Sequence, residues 1–159
     1  MPHWSLREAS ADDAQWIAEL RAVVLRADLE RLGRFDPVRV RQRFLSAFDP
    51  AVTQVVVVAG RDVGSIAVRL EGDTLWIEHF YLRPELQGAG IGSSVLTALL
   101  APDAGGRPFR LNVLQGSRAR ALYERNGFVV ESEDPVDIFM VRPAVNLQNL
   151  ERRARASRI

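Results

Sequence analysis

Phe80-Tyr81-Leu82-Arg83-Pro84-Glu85-Leu86-Gln87-Gly88-Ala89-Gly90-Ile91-Gly92-Ser93-Ser94-Val95-Leu96 is the stretch from which the fold can be read. Its first three residues close a β-rich run, Pro84 stops that run, and Ile91, Val95 and Leu96 recur at helical spacing. Strand, glycine-rich turn and helix start therefore follow one another. The first amides of a helix have no partner within it, and the helix dipole places positive potential there, so this junction is a ready anion site. Gly88, Gly90 and Gly92 carry no side chain that would keep a pyrophosphate from the backbone. The spacing is Gly-x-Gly-x-Gly-Ser, without the third glycine of a dinucleotide fingerprint at its place. The turn also follows several strands and does not open a βαβ unit, so a nicotinamide dinucleotide fits it poorly.

Upstream, residues 53–59 are dense in valine, Gly60-Arg61-Asp62 turns them back into residues 63–70, and Gly72-Asp73 leads into residues 74–82. These runs read as an antiparallel meander. Before them, Ile17, Leu20, Val24 and Leu25 recur at helical spacing over residues 14–31, with Ser10 as the cap candidate. Asp36 and Pro37 cap and open a second helix carrying Val40, Phe44, Leu45 and Phe48, and residues 4–9 read as a first strand. Downstream lie a helix over 91–100, a strand over 109–114, a helix over 117–126 stopped by Gly127, and a closing strand pair over 128–131 and 136–141. The expected fold is a mixed α/β (α+β) sandwich around one sheet, with a single domain over residues 1–145. Residues 146–159 are a basic C-terminal tail with a weakly amphipathic helix expected over 147–158.

Bulk properties narrow the function classes. The 159 residues are 47% hydrophobic and 26% charged, enough for one globular core, and the net charge of +1 gives no footprint for nucleic acid. No apolar run approaches a membrane span, and Met1-Pro2-His3-Trp4-Ser5 lacks the layout of a secretory signal. The chain has no cysteine, which is compatible with a cytoplasmic location. All 21 basic residues are arginine, so a Walker-type phosphate loop with its lysine is excluded. His3 and His79 are the only histidines, which leaves no metal-ligand set, and no G-x-S-x-G elbow marks a serine acyl-enzyme.

Residues 80–96 closely resemble motif A of the Gcn5-related N-acetyltransferase (GNAT) superfamily, which follows Q/R-x-x-G-x-G/A. Residues 110–128, RLNVLQGSRARALYERNGF, resemble that family's second signature, a strand and a helix ending in leucine-tyrosine-glutamate and closing in glycine-phenylalanine. The resemblance implies a mostly antiparallel sheet of about seven strands, splayed between strands 4 and 5 and flanked by about four helices. It implies acetyl-CoA as co-substrate, lying in the splay. The backbones of Phe80, Tyr81 and Leu82 would pair with its pantetheine arm, and the turn Gln87, Gly88, Ala89, Gly90, Ile91, Gly92 and Ser93 would hold its pyrophosphate. Ser117 stands where the motif usually has asparagine; it suits a helix cap and is expected to bond the cofactor through its hydroxyl.

Direct acyl transfer needs a neutral amine, a polarised carbonyl and a proton for the departing thiolate. Tyr123 matches the family's proton donor, and a phenol with a pKa of about 10 keeps its proton until a thiolate forms. Glu78 is the leading base candidate, because the two-residue strand period sets it on one face with Phe80 and Leu82. His79 points the other way on that period and is the second candidate. The acceptor is then a small-molecule or protein amine, with no nucleic acid or membrane partner, and a homodimer is compatible with the sequence. Acidic residues over 131–137 favour a cationic acceptor. The rival from another class is a CoA-binding regulatory or interaction domain of the same fold without turnover.

Overall fold

The structure is a computed structural model that describes residues 2–101, 106–144, 152 and 154–158. Seven strands form one sheet: β1 (Trp4–Glu8), β2 (Thr53–Val58), β3 (Arg61–Glu71), β4 (Thr74–Leu82), β5 (Phe109–Leu114), β6 (Val129–Glu133) and β7 (Asp137–Arg142). Their spatial order is β1-β2-β3-β4-β5-β7-β6, antiparallel throughout except for the parallel contact of β4 with β5. The helices are α1 (Ala14–Arg31), α2 (Pro37–Ala47), α3 (Ile91–Leu100) and α4 (Ala119–Arg125). The fold is thus the mixed, splayed sheet that the two motifs imply.

Local chemistry explains the boundaries. The Asp36 carboxylate accepts from the amides of Val38 and Arg39, both at 2.9 Å, and Pro37 takes the first helical position of α2. Asp49 repeats the device on a short 3₁₀ turn over Pro50–Val52. The helix expected over 117–126 is shorter: Ser117 Oγ accepts from the Ala119 amide at 3.2 Å, so its turn precedes α4 and stays outside it. The last hairpin begins and ends one or two residues later than expected. Phe128 is a buried anchor ahead of β6, and Asp134 shapes the turn by accepting from the amides of Val136 and Asp137. The tail helix expected over 147–158 lies partly outside the described residues; of those described, 152 and 154–156 are helical.

Two apolar clusters sandwich the sheet. The larger joins Ile77 and Leu82 of β4 to Ile91, Val95 and Leu96 of α3, to Tyr123 of α4, and to Phe109, Leu111, Ile138 and Met140. The smaller joins Ile17, Ala18 and Leu20 of α1 to Phe44 of α2 and Tyr81 of β4. α1 is tied down by ions as well as by packing. Arg7 on β1 reaches Asp13 at 2.7 Å and Asp62 at 2.8 Å, and Asp13, 5% exposed, also accepts from Trp16 Nε1 and the Ser10 amide. Among the described residues no helix is long and apolar enough to cross a membrane, and no group of three or more His, Asp or Glu side chains could hold a metal ion.

Candidate active site

The site begins where two strands part. β4 and β5 pair only at Leu75 with Phe109 and Trp76 with Arg110. Beyond that point β5 continues along β7, Asn112 opposite Phe139 and Leu114 opposite Asp137, while β4 stays with β3. From Ile77 onward, β4 therefore presents an edge of backbone N–H and C=O groups toward the gap without a β5 partner. Gln87 closes the far end: its side-chain amide donates to the Leu82 carbonyl at 3.0 Å.

The glycine turn leads from that edge into α3. Gly88 and Gly90 have φ of +81° and +85°, and Gly90 is the left-handed cap of the helix. The first helical bond runs from the Ser94 amide to the Gly90 carbonyl at 3.0 Å, and no side chain caps the helix. The amides of Ile91, Gly92 and Ser93 precede that bond, so they are left over for an anion. The three glycines serve different ends. A Cβ on Gly88 would meet nothing within 4 Å, whereas one on Gly92 would face Leu82, Leu122 and Phe80 side chains at 3.4–3.9 Å. A side chain on Gly92 would point into the core, so its bareness has a packing reason beside the pyrophosphate approach expected of all three.

Tyr123 of α4 packs into the larger apolar cluster together with Leu82 of β4 and Val113 of β5. Its ring is 7% exposed and stands edge-on to Phe128 at 5.8 Å. Its hydroxyl makes no hydrogen bond among the described residues, yet no sealed side-chain polar atom among them is left unpartnered. The hydroxyl therefore keeps a trace of accessible surface within an otherwise buried side chain. Burial, and to a lesser degree the neighbouring Tyr81, push the Tyr123 phenol well above its ordinary value, so it is protonated at any working pH. Ser117 is half-buried ahead of α4 with its hydroxyl on the Ala119 amide.

On the other side of β4 the strand period fails. Ser65 pairs with Tyr81 and Ala67 with Glu78, so His79 and Phe80 together oppose Ile66 in a β-bulge. His79 takes φ of +51°, and its carbonyl, freed from the ladder, accepts from the buried Ser65 hydroxyl at 2.8 Å. The extra residue inverts the alternation. Ile77, Phe80 and Leu82 face α3, while Glu78, His79 and Tyr81 face α1 and α2. The expectation that Glu78 shares a face with Phe80 and Leu82, with His79 opposite, is thereby overturned: both base candidates lie on one face, away from Phe80.

Glu78, with a side chain 31% exposed, is gripped by Arg69 of β3, whose Nη2 donates to Oε1 at 2.7 Å and whose Nε lies 3.3 Å from both oxygens. His79 stands edge-on to Phe44 with centroids 5.0 Å apart, and its Nδ1 is 3.2 Å from the Tyr81 hydroxyl. Arg21 of α1 donates from Nε to that hydroxyl at 3.0 Å and from Nη1 to the Val40 carbonyl. Burial pulls His79 below its ordinary value; the Glu78 charge opposes this and the Arg21 charge adds to it. Sequence reasoning missed Arg21, Arg69 and Ser65. Arg21 had a signal: it falls in the stripe of Ile17 and Ala18, where helical spacing calls for an apolar residue.

The acidic stretch that favoured a cationic acceptor is partly consumed within the chain. Glu131 pairs with Arg110 at 2.9 Å and Asp134 holds its own turn, while Asp137 receives a hydrogen bond from the Asn112 amide at 3.2 Å.

With this geometry in hand, the chain's relatives can be placed. The family model described as Acetyltransferase (GNAT) domain matches residues 52–130, the span holding the parting strands and the glycine turn. The chain is 30% identical over 143 residues to the thialysine N-epsilon-acetyltransferase of Sus scrofa, covering 77% of this chain and 82% of that protein. The protein belongs to the GNAT family of acetyltransferases. The PaiA N-acetyltransferase of Thermoplasma acidophilum, solved in complex with coenzyme A, shares the fold at a TM-score of 0.70 and 19% identity, over 89% of this chain and 99% of that one. The ribosomal-protein-S18-alanine N-acetyltransferase of Escherichia coli shares it at 0.67 and 16% identity, over 91% and 96%.

Proposed function

We propose that the protein transfers an acetyl group from acetyl-CoA to a primary amine by direct attack in a ternary complex, with no covalent enzyme intermediate. The parting of β4 from β5 beside the uncapped start of α3 is the observation that carries this reading. The strand edge at Phe80, Tyr81 and Leu82, whose far end Gln87 caps at the Leu82 carbonyl, suits the two amides of a pantetheine arm, and the amides over residues 88–93 suit a pyrophosphate. The residues present fit acetyl-CoA, which supplies the thioester. A strand amide would hold the thioester oxygen as it gains charge. Tyr123 would give its proton to the leaving thiolate, a role supported by a hydroxyl that stays protonated and has no hydrogen-bond partner among the described residues. Glu78 would take the amine's proton through water from the α1–α2 side, and Arg69 keeps its carboxylate in place.

The relative of Sus scrofa is named for a thialysine side-chain amine, which supports a small-molecule primary amine as acceptor here, with a protein amine second. The test is thiol release from acetyl-CoA with a panel of amines, including thialysine, lysine and a polyamine. Amine-dependent release with the acetylated product is expected. Tight acetyl-CoA binding without release for any amine would overturn the enzyme reading in favour of a CoA-binding domain without turnover.

A further inference from the structure

The contact among Arg21, Tyr81 and His79 restricts where protons can sit. Tyr81 is 8% exposed, and its hydroxyl has one proton to donate and an oxygen that accepts. The Arg21 guanidinium is donor only, so its bond at 3.0 Å occupies the oxygen. A buried hydroxyl proton needs an acceptor, and among the described residues His79 Nδ1 at 3.2 Å is the group that can supply one. If Nδ1 carried the proton instead, the Tyr81 oxygen would accept twice and its own proton would have nowhere to go. Nδ1 is therefore the bare nitrogen, and the proton of the neutral ring sits on Nε2, the nitrogen facing away from the buried hydroxyl.

We infer that Arg21, acting through the Tyr81 hydroxyl, holds His79 as its neutral Nε2–H tautomer, so that His79 offers the acceptor side of the site a hydrogen-bond donor and not a base. The placement of the acceptor on this face rests on the acetyltransferase reading above; the tautomer does not. Arg21 and Tyr81 are positioning residues in this scheme. The groups facing the ring are Phe44 from α2, which carries no charge, Arg21 from α1, and Glu78 and Tyr81 from β4. Only the Glu78 charge favours a protonated ring; burial and Arg21 oppose it. With His79 so occupied, proton removal from the amine falls to Glu78 or to solvent.

The chain has two histidines, so only two rings have to be assigned. Two-bond ¹⁵N–¹H spectra of the ¹⁵N-histidine-labelled protein across neutral pH read the tautomer of each ring directly. His79 is expected to show the Nε2–H pattern and to be less charged at about pH 6.5 than an ordinary exposed histidine, about half of which is charged there. Tyr81→Phe should turn that pattern into a mixture of tautomers, and Arg21→Met should raise the titration midpoint of His79. An Nδ1–H pattern in the unsubstituted protein, or a His79 half charged at about pH 6.5, would overturn the inference. If either variant fails to fold, the unsubstituted spectrum decides alone. The readout needs no turnover, so a protein inert toward every amine would leave this result standing.

Discussion

β4 turns two unlike faces to the two helical layers. Toward α3 and α4 it offers Ile77, Phe80 and Leu82 to an apolar cluster, and its contribution to the site on that side is backbone: a free strand edge and the helix-start amides beyond it. Toward α1 and α2 it offers Glu78, His79 and Tyr81, each held by a polar or aromatic partner from another element: Arg69 for Glu78, Phe44 for His79 and Arg21 for Tyr81. One face works by shape and main-chain groups, so many side chains would satisfy it. The other works by side chains whose protonation and placement depend on named neighbours. The bulge at His79 lets one strand do both, because it turns Glu78 away from Phe80 without ending the strand.

Tyr123 is the side chain through which the apolar face would reach the proposed chemistry, so it offers the largest test. Tyr123→Phe keeps the ring against Phe128 and removes only the hydroxyl. Folding and acetyl-CoA binding should survive, and turnover should fall by roughly 10²–10⁴, the worth of a general acid. Turnover within about threefold of the parent would return Tyr123 to packing alone and make the apolar face chemically silent.

The polar face is tested next by Glu78→Gln, which keeps an oxygen for Arg69 while deleting the proposed base. A fall of roughly tenfold to a hundredfold at neutral pH is expected, toward the low end for a general base. High pH should rescue part of it, because an alkylamine with a pKa of about 10.4 then loses its proton to solvent. Paired pH–rate profiles with acetyl-CoA affinity measured alongside are the check. Superimposable profiles would leave deprotonation to solvent and reduce Glu78 to a partner of Arg69.

The two faces were not equally legible in the sequence. Everything on the apolar side follows from local rules: proline after the strand, glycines at positive φ, and apolar residues at helical spacing in residues 91–100. The sequence placed α1, β4, α3 and β5 at their observed bounds for the same reason. The polar side hangs on a single inserted residue. No glycine marks the bulge, and the two-residue period assigns Glu78 to the wrong face because it assumes an unbroken ladder. The adjacent polar pair Glu78-His79 followed by Phe80-Tyr81-Leu82 is itself a break in alternation, and that was the available signal. Arg21 could have been flagged as a charge in the apolar stripe of α1, but its partner, and the role of Arg69, come from contacts made across the fold.

The roof over the polar face depends on Asp13, which ties the start of α1 to β1 and to the start of β3 through Arg7. Its carboxyl is held far below the ordinary range, chiefly by the Arg7 hydrogen bond and then by Trp16 and the Ser10 amide, against a cost of burial. A depressed carboxyl contributes stability above its unfolded pKa of about 3.9 and loses it as pH falls through the folded value. Asp13→Asn should therefore cost about 2 kcal/mol near neutral pH, the scale of a hydrogen bond to a charged group. Urea unfolding of both proteins at neutral and strongly acidic pH should show the gap closing toward acid. A gap independent of pH would mean that packing, not charge, anchors α1.

The smallest effect separates two glycines two residues apart on the apolar face. Gly90 has φ of +85° and ends the turn in a conformation that a side chain resists, so Gly90→Ala should destabilise by about 1–2 kcal/mol. Gly92 lies within α3 at an ordinary helical angle, and a methyl there would meet Leu82 Cδ1 at 3.4 Å, ordinary contact. Alanine also outranks glycine in a helix by up to about 1 kcal/mol, so Gly92→Ala should be neutral or slightly stabilising. Its methyl faces Leu82, Leu122 and Phe80, away from the leftover amides, so acetyl-CoA affinity should stay within about twofold, a difference worth less than 0.5 kcal/mol. Thermal unfolding and calorimetry on the two variants are the measurements. A tenfold loss of affinity in Gly92→Ala, with stability intact, would show that the cofactor lies against the core side of the turn. The division between a packing glycine and an anion-facing turn would then have to be redrawn.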